Sequence, residues 1–208
     1  MSPAARPTVF VVDDDEPMRE ALQQYLESAG YTTRCFADGA TFLAAVDADA
    51  AGCVLLDIAM PGMSGHEVHS ALRTRGVDLA VMFLTGHGDV PGAVSAVRNG
   101  AVDFLEKPVR ADELLQAVAS GLLVNEERRR KKAYLEDVGH RYGRLSARER
   151  EVMGLVVDGL TNKEIAAKLG LSPRTVEAHR THVMSKMGAD CLADLVRIAA
   201  YCEPPPPA

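Results

Sequence analysis

Short apolar runs alternate with amphipathic segments over the first half of the chain. Each run is closed by turn or charged residues, which predicts buried strands separated by helices. The predicted strands are Thr8–Val12, Thr32–Phe36, Cys53–Asp57, Ala80–Leu84 and Val102–Glu106. The predicted helices are Glu16–Ala29, Gly39–Ala48, one from Ser64 to Thr74, a short one between Asp89 and Gly100, and one from Arg110 to at least Val124. This alternation predicts an α/β fold: a flavodoxin-like, doubly wound, five-stranded parallel sheet with strand order 2-1-3-4-5.

The second half shows only helical periodicity. Capping signals at Ser146, Thr161 and Ser172 predict three helix starts, and a fourth helix is predicted from Cys191 to Tyr201. The turn at Gly170 joins the second and third of these helices, which predicts a helix-turn-helix within a small all-α four-helix domain.

The predicted boundaries follow from these patterns. They are a first domain at 8–124, a charged linker at 125–141, a helix-turn-helix domain at 142–202 and a Pro-rich tail at 203–208, disordered or polyproline II. The linker contains no helix breaker before Gly139, so it is predicted to extend the preceding helix. A flexible charged coil is the alternative.

Charge differs between the two halves. Residues 1–125 hold 8 basic and 17 acidic residues, whereas residues 126–208 hold 15 and 12. This asymmetry indicates two domains with different partners. No run is long and apolar enough for a membrane span, and the N-terminus lacks the apolar core of a signal peptide. The four cysteines have no CxxC spacing, so reduced buried thiols and a cytoplasmic location are expected.

Polar residues end the predicted strands of the first half. Asp13 and Asp14 follow the first strand, Asp57 ends the third, and Thr85 and Lys107 follow the fourth and fifth. The carboxyl ends of parallel strands meet at one edge, so these side chains are expected to converge. Clustered carboxylates need a counter-charge, and Mg²⁺ (or Mn²⁺) prefers oxygen ligands. The residues therefore predict a metal held by Asp14, Asp57 and the Ala59 backbone carbonyl, beside a carboxylate that attacks phosphorus.

With Met60-Pro61-Gly62 and Lys107-Pro108, these residues make 8–124 resemble the receiver domain of two-component response regulators. The resemblance implies phosphorylation of Asp57 by a sensor histidine kinase, with Asp13 near the metal through water. Thr85 and Lys107 would bind the phosphoryl group, and Phe104 would turn inward as the switch aromatic. The Lys107-Pro108 bond is often cis in such domains.

The second half resembles the LuxR-type DNA-binding domain, on the stretches Thr161–Ala166 and Ser172–Glu177. The whole chain thus resembles FixJ/NarL-class regulators. One face of the second helix is predicted to enter the major groove, while other side chains contact phosphates. The base-reading candidates are Arg174, Glu177, Ala178 and Thr181, with Thr175 beside them; the phosphate candidates are Asn162, Lys163, Arg180 and Lys186. The family implies that the fourth helix pairs two copies, with Leu192, Leu195, Val196 and Ala199 as candidates. The alternative is that these residues complete the core of their own domain.

The function expected from both halves is a transcriptional response regulator, switched by phosphorylation toward a homodimer that binds a double-stranded DNA operator. It would not be an enzyme beyond its own phosphoryl transfer and dephosphorylation. The alternatives are a phosphohydrolase that uses Asp57 as nucleophile and a DNA-binding protein whose first domain only dimerises. His66 and His69 are expected to lie on a helix surface rather than bind zinc. His179 and His182 are expected to pack or contact phosphates rather than form a metal pair. The Gly86–Gly92 segment is expected to be a mobile active-site loop.

Overall fold

The computed structural model describes residues 7–86 and 101–202. The chain divides into two compact units between Arg130 and Lys131. Within the described residues no helix combines the length and apolar character that a membrane span requires. The predicted helix between Asp89 and Gly100, the glycine-rich loop beyond Gly86 and the Pro-rich tail lie outside the described residues.

The first unit contains one parallel sheet, and the predicted strand order 2-1-3-4-5 is confirmed. Its strands are β1 (Thr8–Val12), β2 (Thr32–Phe36), β3 (Gly52–Asp57), β4 (Ala80–Thr85) and β5 (Asp103–Glu106). The helices are α1 (Glu16–Ser28), α2 (Gly39–Ala45), α3 (Gly65–Thr74) and the first part of α4 (Ala111–Gly143), which crosses the boundary between the units. The flavodoxin-like fold class predicted from the apolar runs is therefore confirmed.

The apolar core lies on both faces of the sheet because successive side chains of a strand point to opposite faces. Leu56 on β3 packs in a cluster with Phe10, Phe42 and Phe83, whereas Leu55 packs on the other face. All six residues of β3 are buried. This central position explains why the sequence of β3 reads as a continuous apolar run ending in a carboxylate.

The end of α2 in the first unit and the burial of a cysteine in the second differ from the predictions. α2 ends at Ala45 and not at Ala48, because Val46 is extended and Asp47 accepts a hydrogen bond from the Asp49 backbone N–H. This local turn competes with further helix. The expectation of buried thiols holds for Cys53 but is wrong for Cys191, which is exposed.

The second unit is helical. Its helices after α4 are α5 (Ala147–Val157), α6 (Asn162–Leu169), α7 (Pro173–Met187) and α8 (Leu192–Ala199). The predicted capping boxes form at Ser146 and Thr161, and Ser172 caps α7. Gly170 ends α6 with φ 65°, a left-handed conformation that suits glycine, and so makes the turn between the two helices.

α4 continues through the whole charged segment to Gly143, past Gly139. Its residue Asn125 is buried within the first unit, and Val138 is buried in the core of the second. Both ends of the segment predicted as a linker therefore carry side chains that are built into folded cores.

Candidate phosphoacceptor site and DNA-binding helix

Asp57 ends β3 at the carboxyl edge of the sheet, and residues 58–64 connect it to α3. The Ile58 N–H donates to the Leu84 carbonyl at 3.1 Å, and the Gly65 N–H donates to the Ile58 carbonyl at 3.1 Å. A Cβ at Gly65 would collide with the Asp57 carbonyl oxygen. Glycine at position 65 thus lets α3 begin directly against the strand end and fixes the backbone that carries Asp57.

Three carboxylates converge at this edge. One ligand oxygen from each of Asp13, Asp14 and Asp57 lies within 4.8 Å of the others. Asp13 is 0% and Asp57 5% exposed, whereas Asp14 is exposed. The Asp15 N–H donates to Asp13 Oδ1 at 3.0 Å, which orients that carboxylate. The convergence predicted from strand order is therefore what the sheet produces at β1 and β3.

Lys107 supplies the counter-charge from the end of β5. Its Nζ lies 2.7 Å from Asp13 Oδ2 and 3.2 Å from Asp57 Oδ1. Its backbone N–H donates to the Thr85 carbonyl at 2.8 Å, and the following Lys107-Pro108 bond is cis. One ammonium thus contacts two of the three carboxylates, which leaves the cluster with an excess of negative charge.

Burial raises the pKa of the Asp57 carboxyl, and the nearby Asp13 adds to this, although Lys107 and the Ala59 N–H partly offset it. Burial acts on the Lys107 ammonium in the opposite direction, but its bonds to Asp13 and Asp57 outweigh burial, so its pKa is raised. Lys107 therefore stays charged at neutral pH.

The donor set fits a small hard dication. Asp13 Oδ2 is buried and meets no hydrogen-bond donor apart from its ion-pair contact with Lys107. Oxygen ligands of net negative charge, with one carboxylate exposed, are typical of Mg²⁺ sites that keep bound water. Asp14 and Asp57 would hold the ion directly, with Asp13 nearby. The Ala59 carbonyl remains a predicted ligand.

The Lys107→Met variant should show how strongly the cluster depends on its cation. In Mg²⁺-free buffer, its free energy of unfolding is expected to fall by about 3 kcal/mol. This value is the lower end of the range for breaking a buried ion pair, because Lys107 is partly exposed. Denaturant titration with and without Mg²⁺ checks this. Added Mg²⁺ should stabilise Lys107→Met more than wild type. Equal stabilisation of both proteins by Mg²⁺ would contradict the inference that Lys107 and Mg²⁺ neutralise the same carboxylates.

Thr85 and Phe104 lie on neighbouring strands beside this edge. The Thr85 hydroxyl donates to the Gly86 carbonyl at 3.1 Å, and Thr85 is partly exposed. Phe104 is half-buried and stacks on Phe83, with ring centroids 5.6 Å apart. Nothing in the sequence singled out Phe83, because it is one of several apolar residues in a predicted strand.

Phe83 also contacts both histidines of α3, with centroids 4.9 Å from His66 and 5.7 Å from His69. The surface position predicted for both is wrong for His69, which is buried, and burial lowers its pKa. Because β4 packs against this face of α3, an imidazole fills the space above Phe83. Among the described residues, Asp13, Asp14 and Asp57 form the only group of three or more His, Cys, Asp or Glu side chains placed to hold one metal ion.

The predicted DNA-contacting face of α7 is solvent-exposed at Arg174, Thr175, Glu177, Ala178 and Thr181. Lys163 on α6 is exposed too, and Asn162 and Arg180 are partly exposed. The Thr181 hydroxyl donates to the Glu177 carbonyl at 3.0 Å. Because the hydroxyl is bonded within the helix, the methyl group is the part of Thr181 that remains for contact with a base. These positions are accessible to DNA.

Lys186 differs from the other predicted phosphate contacts. Its Nζ lies 2.9 and 2.6 Å from the two carboxylate oxygens of Glu149, which is only 4% exposed. The bonds to Lys186 and to the Ser146 backbone lower the pKa of Glu149 to about 2. The sequence marked Glu149 only as part of a capping box and gave no sign of its second partner.

The predicted pairing residues of α8 separate into two groups. Leu195 is 1% exposed and completes the core of its own domain, so its choice as a pairing candidate is wrong. Ala199 is half-buried against the same core. Leu192 and Val196 are 46% and 42% exposed and remain available.

The comparisons with known proteins agree with both halves. Residues 9–119 match the response regulator receiver domain family, and residues 144–199 match the bacterial regulatory proteins of the LuxR family. The transcriptional regulatory protein FixJ of Azorhizobium caulinodans is 47% identical, over 92% of this chain and 90% of its own. The tetrathionate response regulatory protein TtrR of Salmonella typhimurium is 45% identical, over 91% and 90%. The structure of the response regulator StyR is 40% identical, with a TM-score of 0.85 over 94% of this chain and 99% of its own.

Receiver domains typically bind Mg²⁺ in an acidic pocket, and in this chain three aspartates cluster at the carboxyl edge of the sheet. The second matched domain is one that binds DNA. The chain therefore belongs to the two-component response regulators of the FixJ/NarL class, transcription regulators that join a receiver domain to a LuxR-type helix-turn-helix domain.

Proposed function

We propose that Asp57 accepts a phosphoryl group from a sensor histidine kinase in a Mg²⁺-dependent step, and that this modification promotes dimerisation and operator binding. The observation that carries the proposal is the position of Asp57: a nearly buried carboxylate at a strand end, flanked by two further aspartates and paired with Lys107. A structural aspartate has no need of two like-charged neighbours, which raise the cost of its ionisation.

In the transfer step, an Asp57 oxygen attacks phosphorus while the bond from phosphorus to the kinase histidine nitrogen breaks, and that nitrogen leaves with the electron pair. The product is an acyl phosphate. Lys107, already 3.2 Å from Asp57 Oδ1, stabilises charge on the phosphoryl oxygens. Bound Mg²⁺, held by Asp14 and Asp57, would supply further charge neutralisation. The Thr85 hydroxyl would exchange its bond to the Gly86 carbonyl for one to a phosphoryl oxygen.

This chemistry modifies the protein once, so the protein acts as a switch and not as an enzyme with a separate substrate. The phosphorylated receiver would be one of two conformational states, and the modification shifts the population between them. Leu192 and Val196 are the exposed apolar residues of α8 that would pair two DNA-binding domains. Operator binding would place the protein in the cytoplasm with the DNA.

The wild-type chain tests this proposal when treated with acetyl phosphate in Mg²⁺ and, in parallel, in EDTA. Intact mass should increase by one phosphoryl group only in Mg²⁺, and gel filtration should then show a shift from monomer to dimer. Absence of any mass increase would contradict the switch and favour a constitutive DNA-binding dimer. Release of inorganic phosphate over many turnovers would point to a phosphohydrolase instead.

A further inference from the structure

The C-terminal turn of α7 is held by two side chains from outside the helix. The first is Glu149 at the start of α5, whose carboxylate binds the Lys186 ammonium through both oxygens. One of those oxygens also accepts the Ser146 backbone N–H at 2.7 Å, so the carboxylate is fixed by its own capping box. A nearly buried, fully bonded carboxylate gives Lys186 one defined position, unlike a surface ion pair.

The second side chain is Arg141 from the last turn of α4. Its Nη1 donates to the Met187 carbonyl at 3.0 Å, and its Nη2 lies 2.7 Å from the Asp137 carboxylate. A guanidinium at this end of a helix satisfies a free carbonyl and favours the helix dipole. Gly188, at φ +65°, ends α7, and a Cβ there would overlap Arg141 Nη1. The helix end and the arginine are thus fitted to each other.

The other cations predicted to meet DNA are not engaged in this way. No hydrogen bond or ion pair within the described ranges involves the side chains of Lys163, Arg174 or Arg180. Lys186, by contrast, already has its charge compensated by Glu149. A phosphate contact by Lys186 would have to compete with that pair.

We propose that Glu149 and Arg141 are positioning residues for DNA recognition. They fix the C-terminal turn of α7 so that Arg174, Glu177 and Thr181 are presented in one orientation, and Lys186 serves as the partner of Glu149 and makes no phosphate contact. This inference rests on the DNA-binding function of the domain.

The sign of the Glu149→Gln effect separates this role from simple electrostatics. Loss of one negative charge near DNA by itself should tighten binding, because phosphate attraction dominates affinity. The positioning role predicts the opposite: about tenfold weaker binding, since the amide no longer holds the Lys186 ammonium. The probe is a DNA duplex enriched from a random-sequence pool by the wild-type full-length chain in acetyl phosphate and Mg²⁺, and affinity is measured in the same buffer at several KCl concentrations.

Lys186→Gln and the double variant complete the test. As a positioning partner, Lys186→Gln should weaken binding by a similar factor with an unchanged salt slope, and the double variant should be no weaker than either single. A phosphate contact would instead reduce the salt slope by about 0.9 and make the losses additive. Glu151→Gln is the matched control, because Glu151 lies on the same helix and pairs with Arg148 at an exposed site.

Hydrogen exchange of the free full-length chain gives a readout independent of DNA. Glu149→Gln and Arg141→Gln should both speed exchange of the last-turn amides of α7 and leave unchanged the Thr175 and Val176 amides, which donate to Ser172 at its start. Arg141 approaches from a partly exposed position, so this second variant tests the same turn without altering the buried carboxylate. Unchanged exchange in both, or tighter DNA binding by Glu149→Gln, would overturn the inference. Failure of wild type to enrich any duplex would instead contradict the DNA-binding function itself.

Discussion

Asp57→Asn is expected to abolish phosphoryl uptake and leave the receiver folded. The amide lacks the anionic oxygen that attacks phosphorus, so no acyl phosphate forms. Its carbonyl oxygen still accepts the Ala59 N–H, and Lys107 keeps its 2.7 Å contact with Asp13. Intact mass after acetyl phosphate and Mg²⁺ should therefore show one added phosphoryl group in wild type and none in the variant.

Asp103→Asn is the matched control for that experiment. Asp103 is an exposed aspartate at the opposite end of β5, so the same chemical change there should leave uptake intact. Uptake that persists in Asp57→Asn would place the acceptor on Asp13 or Asp14, and the proposed assignment would be wrong.

The direction of the stability change caused by Asp57→Asn can be predicted. Burial raises the pKa of Asp57 in the folded state, so at pH values between its unfolded and folded pKa the folded protein binds more protons than the unfolded chain. Stability from this group is present below the unfolded pKa and is lost as pH rises through the folded pKa. In Mg²⁺-free buffer at neutral pH, Asp57→Asn should consequently unfold at a higher denaturant concentration than wild type. A lower midpoint would show that the carboxylate stabilises the fold.

The sheet and its acidic edge were predictable because their signals are local. Each strand is a continuous apolar run with a polar residue at its end, and parallel topology brings those ends together without any further information. Asp13, Asp57 and Lys107 therefore lie together, as strand order predicts. The capping boxes are equally local, since donor and acceptor lie three residues apart.

Contacts between distant segments were not predictable in this way. The Glu149–Lys186 pair joins residues 37 apart, and each residue has a sufficient local explanation in the sequence. Leu195 and Leu192 both read as apolar residues of one short helix, and only packing shows that the first is buried and the second exposed. Asn125 resembles any polar residue of a charged helix, although it is 2% exposed.

Asn125→Ala is expected to destabilise the receiver more than any surface substitution in α4. The Asn125 amide oxygen accepts the Gly52 backbone N–H at 2.8 Å, and its amide nitrogen donates to the Asp78 carbonyl. Alanine would leave the buried Gly52 N–H unpaired, at a cost of about 1–3 kcal/mol, and would also remove the partner of the part-buried Asp78 carbonyl. A loss of about 3 kcal/mol is a large fraction of the stability of a single domain. Denaturant unfolding of the full-length chain, monitored with a spectroscopic probe placed in the receiver, measures this loss.

Two further variants identify the cause. Glu127→Ala changes an exposed residue of the same helix and should alter stability by less than about 0.5 kcal/mol. Asn125→Asp keeps an acceptor for Gly52 but loses the donor and sets a carboxylate against the Asp78 carbonyl, so it should be at least as unstable as Asn125→Ala. A mild Asn125→Asp effect would mean that the Asp78 bond contributes little.

Asn125→Ala also separates an effect on folding from an effect on phosphoryl uptake. Gly52 begins β3 and Asp57 ends it, so Asn125 lies at the opposite edge of the sheet, roughly 16 Å from the acidic cluster along the strand. At temperatures where Asn125→Ala remains folded, acetyl phosphate should therefore modify it as fully as wild type. Arg129, one turn further along α4, donates to the Asp49 and Ala50 carbonyls and secures the same edge. If uptake fell while the fold persisted, the two edges of the sheet would be coupled, and α4 would have to sense the state of Asp57 through the strand that both of them contact.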